Sequence, residues 1–206
     1  MPGRLYISHS VDEMTDAVGA AWPSEMELPR IEISPGEQVV CMVGQGALKE
    51  MRWSMIMSGR RNARGRPVME TIVNARSETV FDKSAYEDVR RAVLPVSGWY
   101  EWTGKARKKT RWRLRPVDGG ILYIAAIWDV WSGPGGIELA QCAAVTCEPN
   151  ADVEAYHHRM PLILQRDAVD DWLNVDDAVA RGVVEVPQAG TILVEEARDV
   201  QDLIGH

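Results

Sequence analysis

The 206-residue chain has no apolar run of about 18 residues, so no segment reads as a membrane-spanning helix. Its start, Met1-Pro2-Gly3-Arg4-Leu5-Tyr6, lacks the basic stretch and apolar core of a secretory signal. Only three cysteines are present, Cys41, Cys142 and Cys147, an odd number without CxxC or metal-ligand spacing. That usage argues against a disulfide framework and leads to an expectation of buried, reduced thiols in a cytoplasmic protein. Glu154, His157 and His158 do not form HExxH, and neither a G-x-S-x-G elbow nor a P-loop occurs. No metal or other cofactor is therefore expected. Repeats, low-complexity tracts and linkers are missing as well, and the length fits a single domain over residues 1–206.

What is present is a strongly uneven charge. The net charge is −7, yet Lys49 to Arg115 holds 17 of the 23 Lys and Arg residues and 7 of the 30 acidic ones. That segment is locally +10 and the remainder −17. A phosphate backbone responds to local potential and counterion release, not to the molecular total. The basic segment is either a nucleic-acid surface or a solvated hairpin tip with some ion pairs.

Ser10 followed by Glu13 is a capping box, predicting a helix over Val11 to Ala21. Ser84 with Glu87 repeats the pattern and predicts a second helix running up to Pro95; Asp167 with Asp170 predicts a third through Trp172 and Leu173. Between them lie β-like runs: Gln38–Val43, Val96–Trp102, Thr110–Arg115, Ile121–Trp131, Glu138–Thr146 and Thr191–Val194. Two connections read as hairpins, one through Thr103–Lys109 with Lys108 and Lys109 near its tip, the other through Gly133-Pro134-Gly135-Gly136. Arg111, Arg113 and Arg115 alternate with Trp112 and Leu114, giving one cationic and one packing face. The fold class expected is α+β, mostly antiparallel sheet with a few short flanking helices.

Four stretches set polar residues among apolar ones: Met1-Pro2-Gly3-Arg4, Val73-Asn74-Ala75-Arg76-Ser77-Glu78, Gly98-Trp99-Tyr100-Glu101-Trp102 and His157-His158-Arg159-Met160-Pro161. A carboxylate desolvated between aromatics has a raised pKa, which suits a proton shuttle. Glu101 is read either so or as the partner of an arginine. His157 and His158 are either a general acid with its neighbour or a pair satisfied by backbone groups.

Taken in order, Gly3-Arg4, Ser34-Pro35-Gly36, Arg52-Trp53, Asn74-Ala75-Arg76-x-Glu78, Gly98-Trp99-Tyr100-Glu101-Trp102, Ala125-Ala126-Ile127-Trp128, Thr146 and His157-x-Arg159-Met160-Pro161 resemble the SOS-response-associated peptidase (SRAP) family. The resemblance implies a barrel-like β-rich fold with a cationic groove for single-stranded DNA containing abasic sites, and activity in the DNA damage response. In that family Met1 is removed, a cysteine at position 2 attacks the open sugar aldehyde, and its thiol closes a thiazolidine. By similarity Asn74 orients the terminal residue and sugar, Glu101 shuttles protons, and His157 acts beside the 3′ phosphate. Arg4 and Arg76 are the implied phosphate-holding pair, Thr146 a weaker DNA contact, and Trp53, Trp99 or Trp102 the base-stacking candidates, with Trp53 first. Lys108, Lys109 and Arg111, read from the charge of the basic hairpin and not from the resemblance, are either strand contacts or part of a solvated tip. The peptidase label implies at most self-processing by Glu101 and His157.

Two positions depart from the family. Pro2 stands where the cysteine would be, so no thiazolidine can form there. With Met1 removed, its secondary amine can condense with an aldehyde to an iminium and invite β-elimination; with Met1 retained, the protein binds the strand without covalent chemistry. Glu32 stands where the family has asparagine, and a carboxylate facing the groove would repel phosphate.

Overall fold

Several runs in this sequence are apolar at every position, so they must be buried on both faces. Val39–Met42, Ala92–Val96 and Ile124–Trp128 are such runs, and every residue in them is buried. A closed barrel meets the requirement, with one face turned to the barrel interior and the other covered from outside. A computed structural model describes residues 2–57, 64, 71–105, 108–174 and 176–197. In it the strands Glu138–Cys147, Ala47–Trp53, Gln38–Val43, Arg90–Val96 and Leu122–Ser132 follow one another round a ring. The last pairs back onto the first through Ala126↔Ala144 and Ile127↔Ala143. Alanines at these crossings, all fully buried, let the strands close without overfilling the interior.

A second, five-stranded antiparallel sheet runs in the order Ile192–Glu196, Lys108–Pro116, Gly98–Lys105, Leu5–Ile7, Arg30–Ile33. One hydrophobic cluster joins the two sheets, with Leu5, Trp99 and Leu114 from one and Val93, Leu94 and Ile124 from the other. Gly98 is required where these strands meet. A Cβ there would lie 2.2 Å from the Leu114 carbonyl oxygen and 2.6 Å from the Tyr6 hydroxyl.

The α+β expectation holds, and so does the first helix. Val11–Val18 begins at Ser10, whose hydroxyl accepts from the Glu13 N–H while Glu13 accepts from the Ser10 N–H at 2.7 Å. Gly19, in the left-handed region, closes it short of the expected end at Ala21. The second helix is not formed. Ser84–Tyr86 is one 3-10 turn, and the chain then enters the strand Arg90–Val96. An unbroken apolar run suits a doubly buried strand as well as a helix, and Pro95 removes the N–H a helix would need. The third helix is a 3-10 turn, Arg166–Ala168, leading into Val169–Leu173, and a further helix, Asp177–Gly182, follows it. The strands Leu5–Ile7, Arg30–Ile33, Ala47–Trp53 and Asn74–Arg76 go beyond the sequence expectation. All three cysteines are buried free thiols. No helix among the described residues is long and apolar enough to cross a membrane.

Trp172 locks the helical cover onto the barrel. It is fully buried, donates from its indole to the Ala92 carbonyl at 2.8 Å, and meets the Phe81 ring edge-on at 5.8 Å. Trp172→Ala is expected to cost about 3–5 kcal/mol, read as a lower urea midpoint; a loss below ~1 kcal/mol would show that the helix is not fastened there.

Candidate active site and nucleic-acid surface

The strand Leu5–Ile7 pairs antiparallel with Gly98–Lys105 through Leu5↔Trp99 and Tyr6↔Gly98. The Tyr100 N–H also donates to the Arg4 carbonyl at 3.0 Å. Carried one step back, this register sets Gly3 across from Glu101 and brings Pro2 to the same strand end. Pro2 is buried there. Asn74 opens the strand Asn74–Arg76, which lies parallel to Glu138–Cys147 with Ala144↔Asn74. From that position its side-chain amide donates to the Pro2 carbonyl at 3.3 Å.

His157 arrives from a loop, and two contacts fix it to the same end. The Trp112 ring, opposite Glu101 in the register, meets the Tyr156 ring edge-on at 4.8 Å. Arg159 anchors the other side: its Nη1 and Nη2 donate to the two Glu78 carboxylate oxygens at 2.5 and 2.9 Å, and Nη2 also reaches the Thr146 carbonyl. This bidentate fork ties the histidine loop to the segment that carries Asn74.

Burial sets the chemistry of the two titratable groups. Glu101 is 4% exposed. Desolvation pushes its carboxyl up from 4.5 to about 7, against the pull of the positive amino terminus. Desolvation likewise holds the His157 imidazole below its ordinary value, reinforced by the same terminal charge and by His158, stacked at 4.3 Å. The Arg159 N–H lies 3.0 Å from His157 Nδ1 and the Arg159 carbonyl 3.1 Å from it. With Nδ1 unprotonated the ring accepts from the first, and with Nδ1 protonated it donates to the second. Among the described residues no cluster of His, Cys, Asp or Glu has a metal-holding arrangement.

The expected DNA contacts divide. Trp53 is fully buried, as is Trp99, so neither ring can stack on a base; the apolar alternation that carries Trp53 faces it into the core. Trp102, 36% exposed, is the remaining aromatic of that motif at the surface. Thr146 is also fully buried and its hydroxyl donates to the Ala75 carbonyl at 3.1 Å, which makes it a backbone tie and not a strand contact. Arg76, Lys108 and Lys109 are exposed. The arginines of the strand Lys108–Pro116 are less available than their number suggests. Arg113 and Arg115 both pair with Glu195, at 2.9 and 3.0 Å. Arg111 pairs with Glu32 at 2.9 Å and lies 3.7 Å from the Tyr100 ring centre. Arg4 meets the same Glu32 at 3.2 Å. Strand alternation sets Glu101 and Trp112 on one face of this sheet and Tyr100, Trp102 and Arg111 on the other. The Arg159–Glu78 fork and the Glu32 bridge have no counterpart in the sequence expectations; the spacings His157-x-Arg159 and Asn74-x-x-x-Glu78 are the only signal for the former.

Comparison with known proteins agrees with this architecture. The chain is 26% identical over 183 residues to the abasic site processing protein YoaM of Bacillus subtilis (strain 168), covering 84% of this chain and 79% of that protein. It is 27% identical over 183 residues to the abasic site processing protein YoqW of Bacillus phage SPbeta, covering 84% and 80%. A crystal structure of a protein from Bordetella bronchiseptica superposes with a TM-score of 0.78 at 22% identity, covering 95% of this chain and 99% of that one, and establishes the likeness of fold. The family model for the SOS response associated peptidase (SRAP) matches residues 1–203. The chain belongs to the SRAP family.

Proposed function

We propose that this protein processes abasic sites in single-stranded DNA through the nitrogen of Pro2, exposed by removal of Met1. The observation that carries the reading is the joint placement of a buried Pro2, held by Asn74 at 3.3 Å, at the strand end where Glu101 is buried with a carboxyl pKa of about 7. The names of the relatives point to the same substrate.

The chemistry follows from the groups present. An α-amine with a pKa of roughly 7.7–8.0 is partly neutral at pH 7. Its lone pair adds to C1′ of the ring-opened sugar, forming a C–N bond while the carbonyl oxygen takes a proton. Glu101, half protonated near neutrality, supplies the proton with which the resulting hydroxyl leaves as water, and an iminium remains. The iminium acidifies C2′. Loss of the C2′ proton pushes the electron pair into a C–C double bond and expels the 3′ phosphate, breaking the C3′–O bond. His157, beside that phosphate and positioned by the Arg159 backbone, takes part in the proton transfer. Water then hydrolyses the iminium and restores the amine. With no thiol to close a thiazolidine, the adduct is transient and the outcome is strand scission, a lyase-like activity instead of a lasting cross-link. Arg4 and Arg76 hold flanking phosphates, Lys108, Lys109 and Arg111 extend the grip along the hairpin, and Trp102 takes the base-stacking role from Trp53.

Three measurements check this. Borohydride reduction in the presence of a single strand with one abasic site is expected to trap a covalent complex, from protein whose intact mass shows Met1 gone. No adduct from such protein would rule out the covalent chemistry. Strand binding without any adduct, from protein that keeps Met1, would leave a non-covalent abasic-site binder. Glu101→Gln is expected to slow trapping roughly 10²–10⁴-fold and to abolish the inflection near pH 7 in its rate profile; an unchanged profile would assign that inflection elsewhere. Replacing Lys108 and Lys109 by glutamine is expected to weaken strand binding and to flatten its salt dependence by about 0.7 for each phosphate no longer neutralised. Unaltered affinity would make the hairpin a solvated tip only.

A further inference from the structure

We infer that Glu32 sets the selectivity of the strand grip: in the DNA-free protein its carboxylate fills the seat that a backbone phosphodiester takes between Arg4 and Arg111. The inference rests on the DNA reading above and deepens it. One carboxylate receives two guanidinium groups that come from different strands. Arg4 Nε donates to Glu32 Oε1 at 3.2 Å, and Arg111 Nη2 donates to Oε2 at 2.9 Å. Arg111 reaches Glu32 from beyond the strands Gly98–Lys105 and Leu5–Ile7, lying against the Tyr100 ring as it does so. The Tyr100 hydroxyl in turn donates to the carbonyl of Ile31, next to Glu32, at 3.1 Å. Ring, guanidinium and carboxylate are thus one braced unit.

Two guanidinium groups brought this close repel each other unless an anion lies between them. A carboxylate and a phosphodiester both carry one negative charge on two acceptor oxygens, and a guanidinium fork accepts either. Glu32 therefore competes with phosphate for the same donors. It is not a buried, permanent partner. The side chains of Glu32 and Arg4 are 43% and 37% exposed, so water screens the pairs and an incoming phosphate can displace the carboxylate. Arg4 is two residues from Pro2, about 7 Å of extended chain, and the seat lies on the sheet face opposite Glu101, so a strand whose sugar is at Pro2 reaches it through a flanking phosphate and not through the sugar itself. Any strand, damaged or intact, must unseat Glu32 to gain these two contacts. An intact strand then has little to hold it, whereas an abasic one is retained by its sugar at Pro2. Weakening the phosphate grip in this way separates the lesion from ordinary single strands.

Glu32→Gln keeps the shape and removes the charge. Two probes are used on folded protein, with cooperative thermal unfolding as the control: inorganic phosphate, followed through the arginine Nε–H NMR signals, and single strands with and without one abasic site. In Glu32→Gln, phosphate is expected to shift the Arg4 and Arg111 signals at concentrations roughly three- to tenfold lower than in the native protein. The undamaged strand is expected to bind tighter by a similar factor, narrowing the preference for the abasic one. Adding Arg111→Gln to that variant should return the phosphate response to its native level. If Glu32→Gln takes phosphate no more tightly than the native protein, the inference is overturned, whatever the strands do, and Glu32 merely props the arginines. If phosphate tightens but neither protein holds any strand, the seat stands and the DNA reading falls instead.

Discussion

The pairing of the first strand with Gly98–Lys105 is the constraint on which the site depends. It brings the start of the chain to a buried carboxylate of the sheet, and it holds only because Gly98 leaves room for Tyr6 and the Leu114 carbonyl. The arrangement has a thermodynamic consequence. Glu101 has a folded pKa of about 7 against an ordinary 4.5, so the folded state binds its proton more tightly than the unfolded one. That stabilising contribution is complete at low pH and is lost as pH climbs from about 4.5 through 7. Near neutrality the fold therefore accommodates a group that would be cheaper to keep neutral or exposed. Such a cost, borne by a buried carboxyl with a displaced pKa, is what marks Glu101 as a candidate functional group.

Electrostatics divides the molecule in a second way. The sequence concentrates positive charge between Lys49 and Arg115, but part of it is answered from distant segments: Glu32 for Arg111, Glu195 for Arg113 and Arg115, Asp177 for Arg91. The acidic remainder of the chain is thus folded back onto the basic part. The surface field that a polyanion meets is consequently weaker than a charge count along the chain implies, and it is concentrated at exposed positions such as Arg76, Lys108 and Lys109.

Much of this was legible in the residues. Gln38–Val43 falls where its short, unbroken, valine-rich apolar run puts it, and the Ser10–Glu13 box starts its helix. The raised Glu101 agrees in direction with the sequence expectation, but the cause is burial on the sheet face it shares with Trp112, since its sequence neighbours Tyr100 and Trp102 lie on the other face. The second helix failed for a nameable reason: the run Ala92–Val96 is apolar without a period, and periodicity cannot distinguish a doubly buried strand from a core helix. Trp53 failed for a related one. Its neighbour Arg52 suggested a surface, but adjacent residues of a strand face opposite ways, so an arginine on one side argues for burial of the tryptophan on the other. Long-range partners were out of reach. That Glu32 bridges Arg4 and Arg111, or that Glu78 grips Arg159, depends on sheet order and register, which local pattern does not carry.

The same distinction bears on the exchange at position 2. A cysteine offers an amine and a thiol, and the second captures the iminium formed by the first; proline offers the nitrogen alone. The side chains gathered round that nitrogen, Asn74, Glu101 and His157, are each held by contacts that do not involve the side chain at position 2: Asn74 by its strand, Glu101 by its register, His157 by Arg159. In the proposed mechanism a proline at position 2 therefore lacks the trap while the surrounding side chains keep their supports. An apparatus that forms an iminium and cannot trap it has two exits, hydrolysis back to the starting sugar and elimination forward. In the proposed mechanism the balance between them falls to His157, whose imidazole is positioned by the Arg159 backbone.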